Sequence, residues 1–301
     1  MIDMSVEICG VQLKNPIIAA SGTYGFGKEF AKIYPLSELG GISLKGTTLE
    51  PRQGNPAIRI AETPMGMLNC VGLQNPGIRV LQEEYLPWLA EQNTVIIANI
   101  AGNTVDDYCR MAQGLAETCV ELLEMNISCP NVKCGGVQFG TNPKTIQEIT
   151  TQVKKHAKQP LIVKLSPNVT SIKECALAAQ EGGADAISLI NTVTGMAIDV
   201  YTRKPVLSNV IGGLSGPCIK PIAVRMIYEV RSVTKLPIIG MGGVMSGVDA
   251  AELMLAGANA VMVGTANLSN PMACPQIVRE LSEYACGQGI TKISELTGAL
   301  L

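Results

Sequence analysis

The chain has 301 residues, 47% of them hydrophobic and 16% charged, which is enough apolar material for one large barrel or two medium domains and excludes a disordered chain. Its formal net charge of −2 comes with no basic block, so nucleic acid and anionic membranes are poor partners, and no apolar run approaches the ~20 residues of a membrane helix. Met1-Ile2-Asp3-Met4 has neither the positive start nor the apolar stretch of a secretory leader, which points to a soluble, cytoplasmic protein.

In chain order, Val6-Glu7-Ile8 and Val11-Gln12-Leu13 flank Cys9-Gly10 and predict a small N-terminal β-hairpin. Eight short apolar runs follow: Ile17 to Ala20, Gly41 to Leu44, Val95 to Ala98, Leu122 to Met125, Leu161 to Val163, Ala186 to Leu189, Pro237 to Ile239 and Ala260 to Val263. Runs of this length suit strands buried on both faces. Helical patterns lie between most of them. Thr104 with Asp107, Asn142 before Pro143, and Ser171 with Glu174 read as helix starts, while Gly182-Gly183 and Gly257 read as helix ends. Eight βα units in this length predict an α/β chain folded as a (β/α)8 TIM barrel, one domain over residues 1–301, with a doubly wound sheet as the alternative. Two connections, from Ile127 to Thr141 and from Thr192 to about Gly216, are long enough to be functional lids.

The ten cysteines show no Cys-x-x-Cys spacing, so no metal site is predicted, and all but Cys129 and Cys134 read as small buried hydrophobes. Trp88 and most of the 13 methionines read as core. The single histidine, His156, falls in a lysine-rich helix end, so acid/base chemistry must rest on cysteine, lysine, carboxylate or tyrosine. Residues just after the predicted strands are unusually polar: Ser21, Lys45-Gly46, Asn99, Asn126, Lys164 and Asn191-Thr192. In a barrel all of these point into one cavity, and buried amides and ammonium groups need partners there. After the last two strands come Gly242-Gly243 and Gly264-Thr265, where backbone N–H groups of this fold commonly hold a phosphate. No GxGxxG follows a strand, so a Rossmann-bound dinucleotide is not expected.

These motifs carry a resemblance over essentially the whole length. Asn126-Ile127-Ser128-Cys129-Pro130-Asn131, Lys45-Gly46-Thr47-Thr48, Met67 to Gly77, Ile190-Asn191-Thr192 and the closing Gly-Gly and Gly-Thr pairs resemble class 1 dihydroorotate dehydrogenases, and Asn131 to Gly136 resembles the active-site loop of the NAD-dependent 1B catalytic subunits. The resemblance implies a tightly bound FMN, surrounded by Ser21, Lys45, Gly46, Asn99, Asn126, Lys164, Ile190, Gly216, Gly242, Gly243, Gly264 and Thr265. It implies a dihydroorotate/orotate pocket made by Lys45, Asn69, Asn126, Asn131, Asn191 and Thr192, with Cys70, Val71, Gly72 and Leu73 of the same motif. It makes Cys129 the catalytic base, where the membrane-associated class uses serine.

The resemblance also implies a homodimer joined by an electron-transfer subunit into a heterotetramer, with FAD and an iron–sulfur cluster on that subunit and NAD as final acceptor. This chain has no cysteine spacing for such a cluster. The alternatives are a class 1A fumarate-dependent form and another FMN barrel, such as the pyrimidine-reducing domain of dihydropyrimidine dehydrogenase. Further off are a phosphate-binding isomerase or an aldolase using Lys164, and a catalytically silent binding barrel.

Overall fold

The apolar runs become the staves of a closed barrel. The structure, a computed structural model, describes residues 2–127 and 139–300. In chain order the strands are β1 (Val6–Ile8), β2 (Val11–Leu13), β3 (Ile17–Ala19), β4 (Gly41–Ser43), β5 (Ile60–Thr63), β6 (Gly66–Asn69), β7 (Val95–Ile100) and β8 (Leu122–Asn126). They continue with β9 (Leu161–Lys164), β10 (Ala186–Leu189), β11 (Val193–Met196), β12 (Ile198–Asp199), β13 (Lys204–Pro205), β14 (Ile211–Ser215), β15 (Ile238–Met241) and β16 (Ala260–Val263). β3, β4, β7, β8, β9, β10, β15 and β16 pair in parallel in that order, and β16 returns to β3 to close the barrel. All eight are buried along their length, as strands covered by side chains inside and helices outside must be.

The predicted hairpin is present as β1 and β2, with Cys9 and Gly10 both at positive φ in its turn. Helix starts follow the sequence signals. Thr104 and Asp107 form a capping box before Val105–Leu115, Asn142 Oδ1 accepts from Lys144 and Thr145 before Pro143–Lys154, and Ser171 accepts from Glu174 before Ile172–Glu181. Gly183 at φ 93° and Gly257 at φ 128° end their helices in a conformation that side chains resist.

Three expectations are corrected. The connection from Thr192 to Gly216 is not irregular: it folds as β11 to β14, and β14 pairs with β6 of the unpredicted hairpin β5–β6. The resulting four-stranded antiparallel sheet, β11-β14-β6-β5, stands over one end of the barrel. Its strands are only half-covered and short, so no continuous apolar run announces them. The seventh barrel strand runs Ile238–Met241 rather than starting at Pro237, because proline cannot donate to the ladder. Cys119, Cys218 and Cys286 are exposed and Cys9 is half-buried, whereas Cys70, Cys109, Cys175 and Cys274 are core. Met65, Met196 and Met245 are exposed, two of them on the added sheet and its turn. Most of the expected lid from Ile127 to Thr141, including Cys134, lies outside the described residues.

Candidate active site

A cavity of about 210 Å³ opens at the C-terminal ends of the barrel strands, where sites of this architecture form. Two faces build it. One is the barrel rim, contributing Lys45, Asn126, Lys164, Ile190, Asn191 and Thr192; the other is the added sheet and its approach, contributing Asn69, Val71, Gly72 and Leu73. The paired glycine turns close the far side through Gly216, Gly242, Gly243, Gly264 and Thr265. Among the described residues, those selected from the sequence come together here, apart from four placed behind the wall. Ser21, Gly46 and Asn99 back the lining, and the Cys70 side chain turns into a small cluster with Leu68 and Leu207. Cys129 and Asn131 lie outside the described residues.

The polar rim is tied together. Asn126 ends β8; its backbone carbonyl accepts from the Tyr108 hydroxyl at 2.7 Å, and its Oδ1 accepts from Asn191 Nδ2 at 3.4 Å. Asn191 Oδ1 in turn accepts from the Thr192 N–H at 2.8 Å. Asn168 bridges to the added sheet by donating to the Thr192 carbonyl at 3.0 Å and accepting from the Thr194 N–H at 2.8 Å. Asn69 donates to the Gly213 carbonyl at 3.2 Å, so the sheet that covers the mouth also carries a pocket amide. Leu73, on the wall, holds φ at 55°, a strained value for leucine, and its carbonyl is gripped by Asn75 Nδ2 at 2.7 Å. Backbone strain of this kind tends to be kept where function needs a fixed shape.

The glycine turns make a cradle. Gly242 has φ 127° and Gly243 φ 78°; a Cβ on Gly243 would sit 2.6 Å from Lys220 Cβ. Bare backbone can therefore approach an anion closely here. Thr265 Oγ1 and Ser215 Oγ are 2.9 Å apart beside it and add hydroxyl donors. Lys220 is committed elsewhere, to Asp249 at 2.6 Å and Glu252 at 2.7 Å.

Several residues of this site escaped the sequence reading, Glu124 foremost. Glu124, in the middle of β8, is fully buried and accepts from Asn99 Nδ2 at 2.5 Å, with Lys164 Nζ 3.8 Å away. Asn99 Oδ1 is buried behind the lining and has no partner among the described residues. Thr23, Ser215, Met241, Met262 and Leu268 also line the cavity and were not selected. The only sequence signal for Glu124 was a carboxylate interrupting Leu122-Leu123-Glu124-Met125. No cluster of metal-ligating side chains occurs among the described residues, and no helix there is long and apolar enough to cross a membrane.

A closed parallel barrel with paired glycine turns after its last strands, and an amide- and lysine-lined cavity beside them, has the architecture of an α/β-barrel enzyme. The comparisons narrow the class. A family model described as dihydroorotate dehydrogenase matches residues 3–284. The catalytic subunit of dihydroorotate dehydrogenase B (NAD(+)) from Alkaliphilus oremlandii is 54% identical over 298 residues, covering 99% of each chain. The proteins of the same description from Petrotoga mobilis and Bacillus pumilus are 52% and 53% identical, over 100% and 98% of this chain and 100% and 96% of their own lengths. A solved structure of dihydroorotate dehydrogenase from Eimeria tenella, in complex with ferulenol, superposes with a TM-score of 0.83 over 99% of this chain and 88% of that one, at 23% identity, which speaks to the fold. This chain belongs to the dihydroorotate dehydrogenase family.

Proposed function

We propose that the chain oxidises (S)-dihydroorotate to orotate, a step of pyrimidine biosynthesis, as the FMN-bearing catalytic subunit of an NAD-dependent enzyme. The observation that carries this is the convergence of Lys45, Asn69, Asn126, Lys164, Asn191 and Thr192 on one cavity beside a glycine cradle. Asparagine donates and accepts at once, which matches a pyrimidine dione.

The residues present fit FMN. Gly242, Gly243, Gly264 and Thr265 suit its phosphate, with Gly216 and Ser215 alongside; Lys164, Lys45, Asn126 and Ile190 suit its ring system, and Ser21, Gly46 and Asn99 support the wall. When bound, FMN supplies a two-electron acceptor for the hydride. The chain's own residues do the rest. The amides hold the dione in one orientation, Lys45 faces the anionic substrate, and the β11-β14-β6-β5 sheet covers the mouth and excludes water. Cys129 takes the proton from substrate C5. A free thiol titrates at about 8.5, so it serves near neutral pH once its thiolate is stabilised.

The whole chain, residues 1–301, works as one cytoplasmic barrel domain. Electrons leave through a partner subunit that carries FAD and an iron–sulfur cluster, in a heterotetramer built on a homodimer of this chain. Exposed apolar side chains at Met196, Ile198, Val200 and Tyr201 support an association surface on the added strands. The test is anaerobic stopped-flow mixing of the yellow holoprotein with (S)-dihydroorotate. Rapid bleaching of the flavin band is expected. A yellow protein that ignores dihydroorotate but is bleached by a dihydropyrimidine would move the substrate, and a preparation that never takes up FMN would overturn the reading.

A further inference from the structure

Beneath the cavity sits a carboxylate for which the proposed chemistry has no use. Glu124 is fully buried. Its Oε1 accepts from Ser188 Oγ at 2.8 Å, and its Oε2 from Ser43 Oγ at 2.9 Å and Asn99 Nδ2 at 2.5 Å. Lys164 Nζ lies 3.8 Å from the same oxygen. Side chains from β4, β7, β9 and β10 therefore converge on one carboxylate from β8. A leucine would fill a barrel interior without the desolvation cost of a charge, so packing alone does not account for this arrangement.

The geometry has two effects above Glu124. A carboxylate only accepts, so the Asn99 amide must turn its NH2 downward and its Oδ1 away. That Oδ1 is the buried acceptor without a partner, directed to the Gly46 side, where an added Cβ would come within 2.8 Å of it. Lys164 meanwhile reaches the cavity wall with its counter-charge held below it. A ligand in the cavity thus meets, at Lys164, a cation whose field Glu124 partly offsets.

We propose that Glu124 is a positioning residue that orients Asn99 and Lys164 and, through the charge of Lys164, sets the reduction potential of the flavin without touching it. The proposal rests on the FMN reading above. Its logic is electrostatic: removing a negative charge beside Lys164 leaves a more positive wall, which favours the electron-rich reduced ring.

The test is a spectroelectrochemical titration of holoprotein for wild type, Glu124→Gln and Glu124→Asp. Glu124→Gln, isosteric and uncharged, is expected to shift the flavin potential positive by at least a tenfold change in the reduction equilibrium, about 30 mV for a two-electron couple. Glu124→Asp keeps the charge and is expected to stay nearer wild type, which a merely structural role would not require. A yellow Glu124→Gln protein with the wild-type potential overturns the proposal while leaving the FMN reading intact. A wild-type chain that takes up no FMN removes both. Should neither variant fold, wild-type holoprotein carrying carbon-13 glutamate carboxyls decides. Flavin reduction should perturb a glutamate band in the infrared difference spectrum, and a spectrum with no glutamate band overturns the proposal.

Discussion

Asn126 does three things at once: it ends a barrel strand, takes the Tyr108 hydroxyl on its carbonyl, and turns its amide to the cavity. Cys129, the proposed base, follows it by three residues in the sequence. Cys129→Ala should slow flavin reduction by roughly 10²–10⁴, the usual worth of a general base. Cys129→Ser should be slow near neutral pH and recover as pH rises, because a serine hydroxyl loses its proton far less readily. Stopped-flow rates across pH check both, and an alanine variant at full speed would end the assignment. Lys164→Met should cost stability even without ligand, by roughly 1–3 kcal/mol, because Glu124 keeps its three hydrogen bonds but loses the ammonium beside it. Denaturant midpoints of the apoproteins measure it. Lysines, amides and glycines at strand ends were legible because their chemistry is out of place there. Glu124 was not, because its meaning depends on Ser43, Asn99 and Ser188, which lie 81, 25 and 64 residues away and meet it only in the closed barrel.

At the scale of elements, the glycine cradle and the helix behind it form one unit. Gly243→Ala combines a strained φ of 78° with a Cβ 2.6 Å from Lys220, so the turn must move. The variant is expected to fold with reduced stability and to lose FMN, read as colourless protein after desalting. The following helix, Gly247–Leu255, is capped by a box of Ser246 and Asp249. Burial pushes the Asp249 carboxyl up, but hydrogen bonds from Lys220, the Met245 N–H and Ser246 outweigh it and hold the group below its ordinary 3.8. A depressed carboxyl contributes its stability above the unfolded value and loses it as pH falls through the folded one. Asp249→Asn should therefore cost roughly 1–3 kcal/mol at pH 7, and the gap to wild type should narrow below about pH 4. Urea titrations at several pH values decide it, and a gap independent of pH would refute the charge argument. Helix starts were readable elsewhere because caps are local, as at Thr104 and Ser171. The hairpin of β5 and β6 was not, since its strands are short and half-covered and the other ladder partner of β6, β14, is remote in the sequence.

For the whole molecule, the barrel was foreseeable because eight doubly buried strands each leave a run of apolar residues. The partner subunit is what the family resemblance implies, and that expectation has its own test. Mixed with dihydroorotate and NAD, the isolated chain should bleach its flavin but give little NADH, and a separately prepared electron-transfer subunit should restore turnover. Robust NADH production by the chain alone would dismiss the two-subunit scheme. Fumarate reduction would indicate a different acceptor.

The sheet over the mouth joins chain segments made far apart. Ser215 reaches Met67 across 148 residues. At the ~5–20 residues per second of synthesis, β6 waits roughly 7–30 s for β14, with a hydrogen-bonding edge unsatisfied in the meantime. The roof over the cavity thus cannot form before β14 is made, and a ribosome stalled before residue 211 would hold six of the eight barrel strands with no roof. Such chains should be the ones that chaperones retain and proteases cut within the β5–β6 hairpin.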